Sequence, residues 1–285
     1  MPDLAVIIPH YNDRTRLTKC LEALMLQGTP KTEVIVVDNG SSQPLEAVRV
    51  AYPSVRIVTE VCKGAANARN RGVAETTAPL LFFLDCDCVP DPDWLTTATA
   101  IASTADVIGG QIDVFDETPP PRTGAQAFEA VFAFDNRAYV ETKGFSVTAN
   151  LLTRRDVFEA TGPFVHGLSE DLDWCRRATA LGYRLVYAPE LRVAHPSRGD
   201  WPALKRKWRR LTDESFGVNG RGAGARAKWG LRALAMPLSI LAHLPRVLTS
   251  QALATRAERM GAAATLVQLR LLRMSWMLGQ ALRGR

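Results

Sequence analysis

The sequence predicts an α/β fold: a mostly parallel central sheet with helices on both faces, and behind it a helical, basic extension. Three observations predict it. Short apolar runs of strand length alternate with segments of helical spacing over roughly the first two-thirds of the chain. The run Leu-Leu-Phe-Phe-Leu at 80–84 ends abruptly in Asp85 and Asp87, with Pro90 and Pro92 soon after; a central strand that delivers acids at its C-terminal end is how open α/β sheets place ligand sites. The net charge of +6 also divides unevenly: residues 201–285 hold 16 Lys and Arg against three acids, a net +13, while residues 1–200 carry −7.

Each element follows from its residues. Leu-Ala-Val-Ile-Ile at 4–8 forms a first buried strand, ended by Pro9, and 10–13 is a polar loop. Leu17, Leu21, Leu24 and Met25 recur at helical spacing within a helix over 15–27, closed by Gly28-Thr-Pro30. Glu-Val-Ile-Val-Val at 33–37 is a second strand that runs into Asp38-Asn-Gly-Ser-Ser, residues that favour a turn. A third short strand spans 55–59, and a small-residue helix with Arg69, Asn70 and Arg71 spans 64–75. After the 80–84 strand come a strand at 106–110, a Pro-rich loop at 116–124 and an aromatic-rich helix at 128–139. A strand at 147–152 and a helix at 154–160 follow, stopped by Gly162-Pro163. Ser-Glu-Asp-Leu-Asp at 169–173 opens a helix through Ala180, 183–187 is another strand, and Arg-Val-Ala-His at 192–195 ends the globule. The natural divisions are 1–112, 113–200 and 201–285.

Composition narrows the setting. A 47% hydrophobic chain of 285 residues buries a substantial core. The first twelve residues lack a basic segment, and the apolar run there is too short for a secretory signal. Five scattered cysteines fit a reducing cytosol, and Cys86 and Cys88 have no second Cys or His pair at zinc-site spacing. Two readings stand for Asp85 and Asp87. Carboxylates that close repel unless a cation joins them, so a hard divalent metal carrying a diphosphate is one; capping of a strand and turn is the other. For Glu170, Asp171 and Asp173 the alternative is stabilisation of a helix N-terminus.

The ordered set of motifs is more specific than any member. Pro-His-Tyr-Asn follows strand one and Val-Val-Asp-Asn-Gly-Ser-Ser follows strand two. Ala-Asn-Ala-Arg-Asn-Arg-Gly lies on a helix, then Phe-Leu-Asp-Cys-Asp, then Ser-Glu-Asp-Leu-Asp-Trp-Cys-Arg-Arg, Leu-Gly-Tyr and a late His195. Over residues 4–198 this resembles the family-2 inverting glycosyltransferases, whose fold is the Rossmann-like GT-A sheet. The resemblance implies that 1–112 binds a nucleotide sugar and 113–200 the acceptor. It implies that Pro9, Tyr11 and Asn12 line the nucleotide pocket and that Asp38 accepts a hydrogen bond from uracil, favouring a UDP-linked donor. Arg69 and Asn70 would lie near the diphosphate or the aspartate pair, and Asp85 near the ribose or a metal-bound water. Asp87 would bind Mg²⁺ or Mn²⁺, with Asp85 adjacent, and His195 matches a late histidine that ligates the metal in some members. Asp171 matches the base that takes the acceptor proton, with Glu170 beside it on the acceptor side. Trp94 and Trp174 are candidates for stacking on a sugar or for core packing.

Lys-Arg-Lys-Trp-Arg-Arg at 205–210 stands where processive synthases carry Gln-x-x-Arg-Trp, which argues for transfer of single sugars. Rival readings are a sugar-phosphate nucleotidyltransferase and a non-catalytic nucleotide-sugar-binding scaffold on a membrane. The first expects a glycine-rich loop after strand one, and His10-Tyr-Asn-Asp-Arg has no glycine.

The basic tail interleaves arginines with apolar runs, a pattern that suits lipid better than nucleic acid. The run at 233–245 is too short to span a bilayer and contains Pro237; the run at 260–282 contains Arg270 and Arg273. The expectation is therefore an interfacial helix at 260–282 that sinks Leu266, Leu269, Trp276 and Met277, assisted by the 205–210 cluster. That predicts a cytoplasmic protein, peripheral on an anionic inner membrane face, with a glycan or lipid-linked acceptor. Packing of these helices on the catalytic domain or on a second subunit is the alternative.

Overall fold

The computed structural model describes residues 2–28, 31–167 and 169–284. Thr29 and Pro30, expected to close the first helix, lie outside the described residues. The chain divides into two compact units, residues 1–113 with 135–195, and residues 114–134 with 196–285.

The first unit is built on a sheet in which, among the described residues, eight strands run in the order β3-β2-β1-β4-β7-β6-β8-β5. They are β1 (Leu4–His10), β2 (Thr32–Asp38), β3 (Arg56–Thr59), β4 (Leu80–Leu84), β5 (Val89–Pro90), β6 (Val107–Phe115), β7 (Asn150–Arg154) and β8 (Leu185–Pro196). β1, β2, β3 and β4 are mutually parallel, whereas β7 is antiparallel to β4 and β6, and β5 to β8. The chain lays β2 and β3 on one side of β1 and then returns to put β4 on the other, so β1 and β4 flank a topological switch point.

Helices cover both faces. The helices that follow the first strands are α1 (Arg14–Met25), α2 (Glu46–Ala51), α3 (Ala65–Ala74) and α4 (Trp94–Ile101). Then come α5 (Gly124–Phe132), α6 (Asn136–Lys143), α7 (Arg155–Thr161) and α8 (Glu170–Ala180). The alternate side chains Ala5, Ile7, Leu81 and Phe83 pack with Ala66 and Val73 of α3, Val157 and Phe158 of α7, and Trp174 of α8. On the opposite face Phe82 stacks on Trp94 of α4, ring centroids 3.8 Å apart. Period-two burial of this kind fixes the register of every strand against its helices.

Several expected boundaries move for physical reasons. Pro9 does not end β1, which continues to His10. β4 pairs only with residues 4–7, so at Pro9 one edge of β1 is already open and the missing N–H breaks no ladder. The strand expected at 183–187 runs on as one β8 through 192–195, the stretch expected to end the globule, and the single helix expected at 128–139 is two, α5 and α6. Asp135 caps α6 by accepting from Ala138 N, which restarts the helix.

The second unit is helical: α5 with α9 (Trp201–Asn219), α10 (Ala223–Leu234), α11 (Met236–Thr249) and α12 (Arg256–Arg283). The divisions expected at 112 and 200 are thereby corrected. Ala125, Ala127, Phe128 and Val131 of α5 bury themselves with Leu266 and Leu269 of α12, which takes 114–134 out of the sheet unit. The helices approach so closely at Gly124 and Gly261 that a Cβ on Gly261 would sit 3.3 Å from the Gly124 Cα. A second cluster joins Phe216, Trp229, Ala233 and Met277. The expected interfacial role of α12 is corrected too: Leu266, Leu269 and Met277 are buried in the helical unit's own core. In α9, Lys207 is not a surface charge; its Nζ lies 2.6 Å from buried Glu129, and burial lowers its pKa to about 8 against the pull of that carboxylate.

Candidate active site

The site lies where the parallel strands β1, β2 and β4 end. In the β1–β2 ladder His10 stands opposite Asp38, so the loops after these strands start side by side. His10 Nε2 accepts from the backbone N–H of Asp13 at 3.2 Å. In a neutral ring the proton is therefore on Nδ1, which donates to Asp38 Oδ1 at 3.2 Å. Ser41 N also donates to Asp38 Oδ1 at 3.4 Å. Asn12, at φ 52°, accepts from Ser42 N at 2.8 Å, and its own N–H donates to Ser41 Oγ at 2.8 Å. The two loops are thus laced into one rim, on which Tyr11 is left 54% exposed with the Lys63 ammonium 5.7 Å from its ring. The sequence assigns site roles to Asp38, Tyr11 and Asn12 but none to buried His10, whose signal was its place within the Pro-His-Tyr-Asn motif.

The aspartates after β4 have different partners. Asp85 Oδ1 accepts from Arg69 Nη2 at 2.6 Å, and Arg69 Nη1 bonds Glu170 at the start of α8. Arg69 is buried, and its Nε has no partner among the described residues. Burial works against its charge, but Asp85, Glu170 and Asp171 together outweigh it and raise its pKa. Asp87 turns the other way, and its Oδ2 lies 3.3 Å from His195 Nε2. The β5–β8 ladder makes this pairing, because Val89 stands opposite Ala194.

Asp171 occupies the first turn of α8, yet its carboxylate accepts from Thr148 Oγ1 at 2.8 Å. Burial raises its pKa to about 6; Arg69 opposes the shift and Glu170 adds to it. Thr148, just before β7, carries no motif and reaches Asp171 only through the tertiary fold. Asp173 is held in an i, i+4 pair with Arg177 at 2.9 Å.

Other candidates have structural work. Asn70 does not face the rim: its amide donates to Phe164 O and accepts from Phe164 N, both at 2.9 Å. Trp94 and Trp174 are fully buried, which selects core packing over stacking on a sugar. Trp94 Nε1 donates to Asn150 Oδ1 at 3.0 Å and Trp174 Nε1 to Gly162 O at 2.9 Å, so their polar edges are spent in the core. Burial and the Asp87 and Asp85 charges push the Cys86 and Cys88 thiols up.

Among the described residues no three His, Cys, Asp or Glu side chains converge in a metal-holding group. What the chain does offer is one carboxylate and one imidazole, Asp87 and His195, side by side at a sheet edge. That pair fits a divalent ion that takes its remaining ligands from a diphosphate and water. Asp85 is not available in the same way, since Arg69 holds one of its oxygens.

Comparison with known proteins bears on the family and the fold. The sequence family described as Glycosyl transferase family 2 matches residues 5–162, more than half of the chain. A relative named Glycosyltransferase AglE, from Haloferax volcanii, is 33% identical over 220 residues, covering 73% of this chain and 72% of the relative. The Pre-mycofactocin glycosyltransferase of Mycobacterium tuberculosis is 29% identical over 217 residues; the match spans 71% of this chain and 45% of that protein. Among solved structures, TarS of S. aureus in complex with UDP-GlcNAc superposes with a TM-score of 0.57 at 15% identity, over 100% of this chain and 93% of that one. The mannosyltransferase PcManGT of Pyrobaculum calidifontis, in complex with GDP-Man and Mn²⁺, gives 0.53 at 19% identity, over 99% and 74%. At these identities the structural likeness shows the GT-A fold.

Proposed function

The chain belongs to glycosyl transferase family 2, an inverting family, and from that premise we propose that it moves one sugar from a UDP-linked donor to a hydroxyl on a glycan or lipid-linked acceptor. The observation that carries the proposal is Asp171: a carboxylate held by Thr148, with its pKa raised to about 6, opposite the Arg69–Asp85 pair. Such a group is ionised near neutrality and basic enough to take a proton. The acceptor hydroxyl gives its proton to Asp171 as its oxygen attacks the anomeric carbon. The bond from that carbon to the diphosphate breaks on the opposite face, so configuration inverts. Glu170, tied to Arg69, holds the acid-rich start of α8 against the donor side.

Asp38 supports a uridine donor, because His10 and Ser41 share one of its oxygens and, among the described residues, no hydrogen bond takes the other, which leaves it for a ring N–H. Asp87 and His195 would hold Mg²⁺ or Mn²⁺ on the donor diphosphate. When bound, that ion neutralises the charge that builds on the leaving diphosphate. The absence of a Gln-x-x-Arg-Trp sequence supports single transfer. The basic C-terminal unit supports a peripheral place on the cytoplasmic face of an anionic membrane, near a lipid-linked acceptor.

The test is a panel of nucleotide sugars, assayed for binding and for transfer with and without manganese. A UDP-sugar should bind in a metal-dependent way and yield an inverted anomer. Metal-independent binding of a non-uridine donor would overturn the donor and metal assignments.

A further inference from the structure

We infer that the protein docks on anionic bilayers through one apolar stripe on α10 and α11, and not through α12. The inference deepens the peripheral-membrane reading above and rests on it. α10 and α11 meet at Ala235 with a 47° bend. Their inward side is narrow: Trp229 and Ala233 of α10 enter the helical core, and Val247 is the buried residue of α11. Along the outward side run Leu231, Leu234, Leu238, Leu241 and Leu248, spaced three, four, three and seven apart. They are 69%, 61%, 68%, 71% and 52% exposed. Steps of three, four and seven keep side chains on one stripe within a helix, so Leu231 and Leu234 make one exposed run on α10 and Leu238, Leu241 and Leu248 another on α11, the two halves of the ridge. A ridge of this kind on a soluble surface marks an interaction site.

Charge identifies the occupant. Between Glu214 and Glu258 the chain has six Lys and Arg and no acid. Lys228, Arg232 and Arg246 are exposed within the two helices that carry the ridge. A second copy docking symmetrically would set these cations against themselves. An anionic bilayer supplies an apolar interior for the leucines and headgroups for the basic side chains, which can extend outward along their stems. By contrast, the exposed arginines of α9 are partly answered locally, Arg209 by Asp213 at 3.0 Å and Arg210 by Glu214 at 3.8 Å. A shallow apolar groove of about 720 Å³ adjoins the ridge, lined by Leu231, Leu234, Gly230, Leu278 and Leu282, and is open to an acyl chain. Among the described residues no single helix is long and apolar enough to cross a membrane; α10 and α11 reach that length and composition only together, across their 47° bend.

Flotation of the full chain with vesicles tests the inference. The wild type should float with phosphatidylglycerol-containing vesicles, stay down with pure phosphatidylcholine, and lose binding as salt rises. Leu238→Gln combined with Leu241→Gln changes only exposed side chains and should weaken vesicle binding about tenfold or more. Lys228→Glu with Arg232→Glu should abolish the preference for anionic lipid. UDP-sugar binding by both variants should match wild type, which separates failure of the surface from failure of the donor site. A wild type that floats with a leucine double variant that floats equally well overturns the ridge and leaves the peripheral reading standing. A wild type that does not float overturns both. A dimer in sedimentation that the leucine variant dissolves, without vesicle binding, assigns the ridge to a second copy and overturns the proposal.

Discussion

The two units each shield arginine from water, Arg69 buried in one and Arg270 and Arg273 half-buried in the other, and they treat it in opposite ways. In the sheet unit Arg69 lies between Asp85 and Glu170, and its pKa is raised despite burial. In the helical unit Arg270 and Arg273 of α12 share the face of Trp208, at 6.0 Å and 4.6 Å, and have no carboxylate partner among the described residues. Burial, with repulsion from Arg270, lowers Arg273 to about 10. A guanidinium boxed in by acids is a fixed element of an active site, whereas one held by an aromatic face leaves its charge for the surroundings. The first arrangement suits a group that must not move during chemistry. The second suits a unit whose excess positive charge is directed outward.

The sharpest way to break this contrast is to remove the boxed arginine. Arg69→Leu leaves Asp85 and Glu170 facing each other across a buried gap, and should cost about 3–5 kcal/mol of stability in denaturant unfolding as well as donor binding. A loss near zero would mean that the acids relax into solvent and that the box is loose. Next in size, Asp171→Asn should keep donor affinity and lose transfer by on the order of a hundredfold or more in a product assay. Wild-type turnover in that variant would return Asp171 to a helix-start role.

The same residue predicts a pH dependence. As the base must be ionised, kcat/KM should rise as pH climbs through about 6 and level off above it. The stability effect has the opposite sign. The folded pKa is raised above the ordinary 3.8, so the fold favours the neutral carboxyl, and stability is lost as pH rises from that value through about 6. Asp171→Asn should therefore melt higher than wild type at pH 8, and the gap should close below about pH 4. The smallest expected effect is in the helical unit. Arg273→Met replaces a half-buried cation that has no carboxylate partner among the described residues with an apolar chain of similar length, and should be neutral or stabilising by about 1 kcal/mol. A loss of several kcal/mol would show that the Trp208 stack and the 3.3 Å bond to Thr212 outweigh desolvation.

Local order was the most legible feature of the sequence. The strands with alternating or continuous apolar runs, and the acids at the end of β4, were readable because period and strand end are properties of neighbouring residues. α2 and α4 escaped, being short and weakly patterned. In the site, Asp38, Arg69, Asp85, Glu170 and Asp171 stand in motifs, but what holds them does not. Thr148 meets Asp171 across 23 residues and Arg69 meets Glu170 across 101, distances that only the folded sheet resolves. The tail misled for a related reason. α12 has the longer apolar run, but its leucines are claimed by α5, a segment from a distant part of the chain. α10 and α11 read as a shorter run and carry the bare ridge, because nothing in the unit covers their outer side.

Asn70 fastens the main chain of Phe164 in both directions, and Phe164 itself packs edge-on against Phe83 at 5.1 Å. The main chain at Phe164 is therefore not an independent loop in time, because it opens only when α3 and the β4 core open with it. In a native-state hydrogen-exchange experiment the Phe164 amide should share the protection of the strand interior, although it sits outside any helix or strand. The acids at the start of α8 keep their distance from Arg69 for as long as the whole unit remains folded.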